Sequence, residues 1–96
     1  MAESSAADRS ALPGADIVAE GLADLAVGRE SVASLLVSVG APRLQRSGIA
    51  ISQPFASPEA RLYAMLYREH GDGAHSRYNA LIRRLVSFER NLESAK

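Results

Sequence analysis

The chain contains no cysteine and no tryptophan, and its 96 residues include only two Phe, three Tyr and a single Lys. The missing cysteine excludes disulfide staples, thiolate metal sites and a cysteine nucleophile. No apolar run approaches the ~20 residues that a membrane-spanning helix needs, so no membrane partner is expected. The amino-terminal stretch carries Glu3 and Asp8, with neither a basic start nor an apolar centre, and fits no secretory or transit peptide. The expected location is the cytoplasm.

What is present points to helix. Hydrophobic residues make up 47% of the chain and charged residues 23%, well away from the composition of chains that stay disordered. Alanine is frequent, while Val and Ile are scattered, which favours helix over sheet. Domains run to about 100–150 residues, so one core is the ceiling at this length. The expectation is an all-α fold: a compact array of three to four helices over residues 15–96, after a flexible tail over residues 1–14 that is rich in Ala and Ser and closes with Pro13-Gly14.

Apolar periodicity places the helices. Val18, Leu22, Leu25 and Ala26 share one face, with Asp16 as the expected N-cap and Gly28 as the stop. Val32, Leu35, Leu36 and Val39 repeat the pattern between Ser31 and Gly40. Leu35 to Val39 would also suit a buried strand, and helix is preferred. Pro42 to Arg46 predicts one further turn. Ile49, Ile51 and Phe55 predict an extended segment pinned to the core. Ser57-Pro58-Glu59 combines a Ser cap, a Pro at the first helical position and an acid in the first turn. The helix it starts has Leu62, Met65 and Leu66 as its core stripe, with Tyr63 and Tyr67 on a second, aromatic face. After Gly71-Asp72-Gly73, a last helix from about Ala74 to Ser94 gathers Tyr78, Leu81, Ile82, Leu85, Phe88 and Leu92 within an arc of about 120°.

Charge is balanced overall but unevenly placed. Residues 1–30 hold six acids against Arg9 and Arg29, and Arg43 to Lys96 hold nine basic residues against five acids. An acidic face meeting a basic one, within the chain or across a dimer, follows from this. On the last helix Arg77 and Arg84 fall near one border of the apolar arc and Arg83 and Arg90 near the other. Arginines that flank a core face snorkel over its edge or pair with acids. Glu89 projects inside the arc, where an unpaired carboxylate is costly. Either that end of the helix is exposed, or Glu89 meets an Arg of another subunit.

Three motifs suggest chemistry. Glu69, His70, Asp72 and His75 concentrate metal-ligand types in seven residues, but in no established ligand spacing, so a turn between two helices is expected there and no metal or cofactor site. Val32 to Ile49 resembles a helix-turn-helix, although Leu36 is bulky where close approach wants a small residue and Arg46 is charged where the second helix wants an apolar one. Arg68 and His75 stand seven apart, a spacing that resembles the Arg and His pair of the small helical HEPN ribonucleases. That resemblance covers two residues and implies metal-free ribonuclease chemistry; Gly71 and Gly73 interrupt the helix that would carry both.

No catalytic set emerges, so an enzyme is not expected. The reading is a small helical protein–protein interaction module, self-associating or part of a larger complex, with Tyr63, Tyr67, Arg77, Arg83, Arg84, Glu89 and Arg90 facing the partner. The alternative is a nucleic-acid-binding regulator of antitoxin or repressor type, and a metal-free ribonuclease comes third.

Overall fold

The computed structural model describes residues 12–94. Among the described residues five α-helices follow in order: α1 Ala15–Ala26, α2 Val32–Val39, α3 Ala41–Arg46, α4 Pro58–His70 and α5 Ala74–Ser94, with a short 3-10 helix, Gly71–Gly73, joining the last two. Among the described residues there is no strand, and the fold is an all-α array. The six-residue α3 is the single turn expected after Pro42. The other four are the helices expected from periodicity.

α2 decides the architecture. Every residue from Ala33 to Ser38 is buried, and Leu35, Leu36 and Val37 are wholly so. A short helix that is apolar all round belongs inside a protein, and α1, α4 and α5 all pack on it. The cap settles helix over strand. The Ser31 N–H donates to Ser34 Oγ at 2.8 Å and the Ser34 N–H to Ser31 Oγ at 3.1 Å, a reciprocal box that satisfies donors a helix start leaves open. Ser31 Oγ also donates to Asp24 Oδ2 at 2.7 Å, tying α1 to α2. Further along, Ser38 Oγ donates to the Ser34 carbonyl at 2.8 Å and accepts the Phe55 N–H at 3.0 Å. That bond fixes the segment before α4, and Ile49, also buried, pins it from below.

α1 lies unusually close to α2 because Gly21 has no side chain. A Cβ there would stand 2.5 Å from Val37 Cγ2 and overlap the Ala33 carbonyl oxygen. Around α2, the fully covered Val18, Leu44, Leu62, Leu66, Leu85 and Phe88 complete the core.

Several local expectations are corrected. Leu12, assigned to the flexible tail, is half-buried against the core, and Gly14 sits so near α5 that a Cβ would come within 2.6 Å of the Arg84 carbonyl oxygen. A single apolar residue carries no periodicity to announce such docking. Residues 1–11 of the expected tail lie outside the described residues. Gly14, not Asp16, is the N-cap of α1. Ser57 does precede α4, but its backbone is left-handed (φ 48°, ψ 50°) and its hydroxyl caps nothing; an N-cap side chain reaches the free N–H groups from the extended region. Met65 and Leu81 are half-buried at the edge of the core rather than inside it. Among the described residues, no helix is long and apolar enough to cross a membrane.

Candidate functional site

α4 and α5 form a helical hairpin about the Gly71–Gly73 turn, where Gly71 takes a positive φ of 57°. The hairpin brings Tyr63 of α4 against Tyr78 of α5, with ring centroids 5.6 Å apart and planes tilted by 55°. Tyr78 is half-buried, and burial followed by the nearby Glu59 charge pushes its phenol above the ordinary 10.0. It is therefore a neutral ring at physiological pH. Tyr63 remains 38% exposed and Tyr67 57%. Together with Val27 they are the large hydrophobic side chains left in solvent among the described residues. The expected second face of α4 thus stands outside the core as an open aromatic surface.

The arginines of α5 divide by border. Arg84 Nη2 donates to Asp16 Oδ1 at 2.8 Å, joining α5 to the first turn of α1. The Ile17 backbone N–H, with Arg84 adding to it, holds the Asp16 carboxyl below its ordinary 3.8. The expected pairing of a basic helix with the acidic α1 is realised here within one chain. Arg77, on the same border, is exposed and has no ion pair among the described residues. Arg83 and Arg90 on the far border are likewise exposed and without an ion pair there.

Between the start of α2 and the hairpin runs a groove of about 270 Å³. Val32, Leu66 and Leu81 form its apolar part, and Glu69, His70, Arg77 and Arg84 its polar rim. This groove escaped sequence reading because its apolar residues come from three helices whose mutual placement no single periodicity encodes.

Glu89 leaves the partner-facing set. It is only 4% exposed, and its Oε1 lies 3.3 Å from Arg43 Nη1 of the same chain. Arg43 also grips Glu93, through Nε to Oε2 at 2.6 Å and Nη2 to Oε1 at 2.8 Å. Burial pushes the Glu89 carboxyl above its ordinary 4.5, with the Arg43 charge opposing. The cation comes neither from solvent nor from a second subunit. It comes from α3, which the Gly40 joint folds back over α5: a Cβ on Gly40 would come within 2.6 Å of Glu89 Oε2.

Arg68 and His75, the pair resembling that of HEPN ribonucleases, stand on α4 and α5 at either side of the 3-10 turn, both exposed. His75 Nε2 lies 3.2 Å from Asn79 Nδ2. Neither residue lines the groove; His70 and Arg77 do. Among the described residues no three His, Asp or Glu side chains converge on a point that would hold a metal.

The molecule is thus a small all-α array whose α4–α5 hairpin carries two exposed tyrosines, Tyr63 and Tyr67, and a groove whose polar rim includes Arg77 and Arg84. No protein-family model, curated protein or solved structure matches it.

Proposed function

We propose that the chain is a small helical protein–protein interaction module that self-associates through the tyrosine face of the hairpin. The observation that carries this reading is the exposure of Tyr63 and Tyr67 beside the Tyr63–Tyr78 ring contact. Tyrosines are enriched at protein interfaces because a large apolar ring ends in a hydroxyl that tolerates water before binding. A second copy is the favoured occupant on charge grounds. Glu20, Glu30, Arg83 and Arg90 are exposed and make no ion pair among the described residues, so each copy offers both signs to its neighbour. A core of some eighty residues is also marginal alone, and oligomerisation commonly supplies the deficit.

Sedimentation velocity at concentrations on the order of tens of micromolar, suited to weak association, tests the reading. The wild-type chain should sediment as a dimer or larger species, and the Tyr63→Ser, Tyr67→Ser double variant as a folded monomer. A monomeric wild-type chain overturns the proposal. Submicromolar binding of a labelled duplex, abolished in Arg83→Ala and Arg90→Ala, would favour the nucleic-acid regulator instead, because nonspecific binding reaches only about 10⁻⁴–10⁻⁶ M.

A further inference from the structure

The groove between α2 and the hairpin combines an apolar part with a polar rim. Its apolar part is made by Val32, Leu66 and Leu81, side chains that gain by contact with another apolar group. Its polar rim is made by Glu69, His70, Arg77 and Arg84, and these differ in what they already hold. Arg84 is engaged by Asp16 at 2.8 Å, and His70 lies 3.6 Å from Glu69, the one acid in the lining. Arg77 holds nothing among the described residues.

We propose that this groove binds an aliphatic carboxylate, with the hydrocarbon part on Val32, Leu66 and Leu81 and the carboxylate on Arg77. A guanidinium presents paired N–H donors that match the two oxygens of a carboxylate, and such charged bonds are stronger than neutral ones. A purely polar anion would leave the apolar part wet, and an uncharged hydrocarbon would leave Arg77 as it is. The volume sets the size. At about 270 Å³ the groove falls just below the ~300–1,000 Å³ of pockets that hold drug-sized ligands, so it suits a short aliphatic chain or one branched apolar side chain. Two sources supply this chemistry: a free short-chain acid, or the carboxyl end of a peptide whose last residue is Leu or Val.

On α5, Arg77 and Arg84 stand about 100–120° round the helix from Tyr78, and none of Tyr63, Tyr67 and Tyr78 lines the groove. The Tyr63→Ser, Tyr67→Ser double variant leaves every groove residue in place and should bind octanoate as the wild type does.

The test is an NMR titration of the full chain with sodium octanoate, with octanol, and with a short peptide ending in leucine whose terminus is free or amidated. Octanoate should shift the amides of Val32, Leu66 and Leu81, and octanol should bind at least about tenfold more weakly, the loss expected on removing one charged hydrogen-bonded pair. Arg77→Gln should weaken octanoate about tenfold and leave octanol unchanged, whereas Arg83→Gln should change neither. Tighter binding of the free-ended peptide than of octanoate, lost on amidation, assigns the source as a protein terminus; the reverse order assigns a small acid. Equal binding of octanol and octanoate, undiminished binding in Arg77→Gln, or shifts confined to residues elsewhere would each overturn the proposal.

Discussion

Adding one methyl group to Gly21 tests the helix packing at its tightest point. Gly21 sits in the interior of α1, where Gly→Ala in an exposed helix stabilises by about 1 kcal/mol. At this position the new Cβ would overlap the Ala33 carbonyl oxygen and stand 2.8 Å from its carbon and 2.5 Å from Val37 Cγ2. Favourable contact between carbons begins only near ~3.5 Å, so α1 and α2 must separate by about 1 Å to admit it. Val37 can turn; the Ala33 backbone, inside a buried and capped helix, cannot. Overpacking of this kind costs about 1–3 kcal/mol, and rigid backbone places the cost in the upper half of that range. After the propensity gain is subtracted, Gly21→Ala should lose about 1–2 kcal/mol net. For a domain of this size that is a fall of about 4–15 °C in Tm. Thermal and urea denaturation by circular dichroism would measure it, with Ala23→Gly on the exposed face of the same helix as a propensity-only control. A Gly21→Ala chain as stable as the wild type would refute the close α1–α2 approach.

Further outcomes follow from single residues. Leu85 is 2% exposed and Leu81 half-buried, so Leu85→Ala should cost about 2–5 kcal/mol and Leu81→Ala clearly less; equal urea midpoints for the two variants would contradict the packing of α5. Because the folded Glu89 carboxyl titrates above its unfolded value, its contribution to stability is fully present below the unfolded value and is lost as pH rises through the folded one. Wild type should therefore gain stability relative to Glu89→Gln as the pH is lowered from neutral towards the ordinary carboxylate value of 4.5, and urea midpoints that move in parallel would refute the raised titration. A chain beginning at Leu12 should melt several degrees above one beginning at Ala15, since the second lacks the Leu12 contact and the left-handed Gly14, and roughly 1 kcal/mol corresponds to about 4–8 °C. Identical melting curves would return Leu12 to the tail.

Much of the fold is legible along the chain because helix is a local property. Spacing, Gly stops, Pro at first turns and the Ser31 cap predict α1, α2, α4 and α5, and these signals act within a few residues. Mechanisms were less legible than positions. Ser57 marks the start of α4 without capping it, because the backbone between Gln53 and Ser57 must turn sharply to meet Phe55's anchorage on Ser38, and it passes through positive φ at both residues.

The sequence by itself determined that Tyr63 and Tyr67 lie off the apolar stripe of α4, that the arginines of α5 flank its core face in two pairs, and that Glu89 points inward. Each of these is a phase angle on one helix, set by 3.6 residues per turn. Only the tertiary structure decided what those directions meet. Glu89 finds Arg43, 46 residues earlier, because Gly40 lets α3 fold back over α5. Arg84 finds Asp16, and Arg77 is left over a groove built from α2, α4 and α5. Pairing and cavities depend on the distance and angle between helices, which close packing around the buried α2 fixes and no local pattern records.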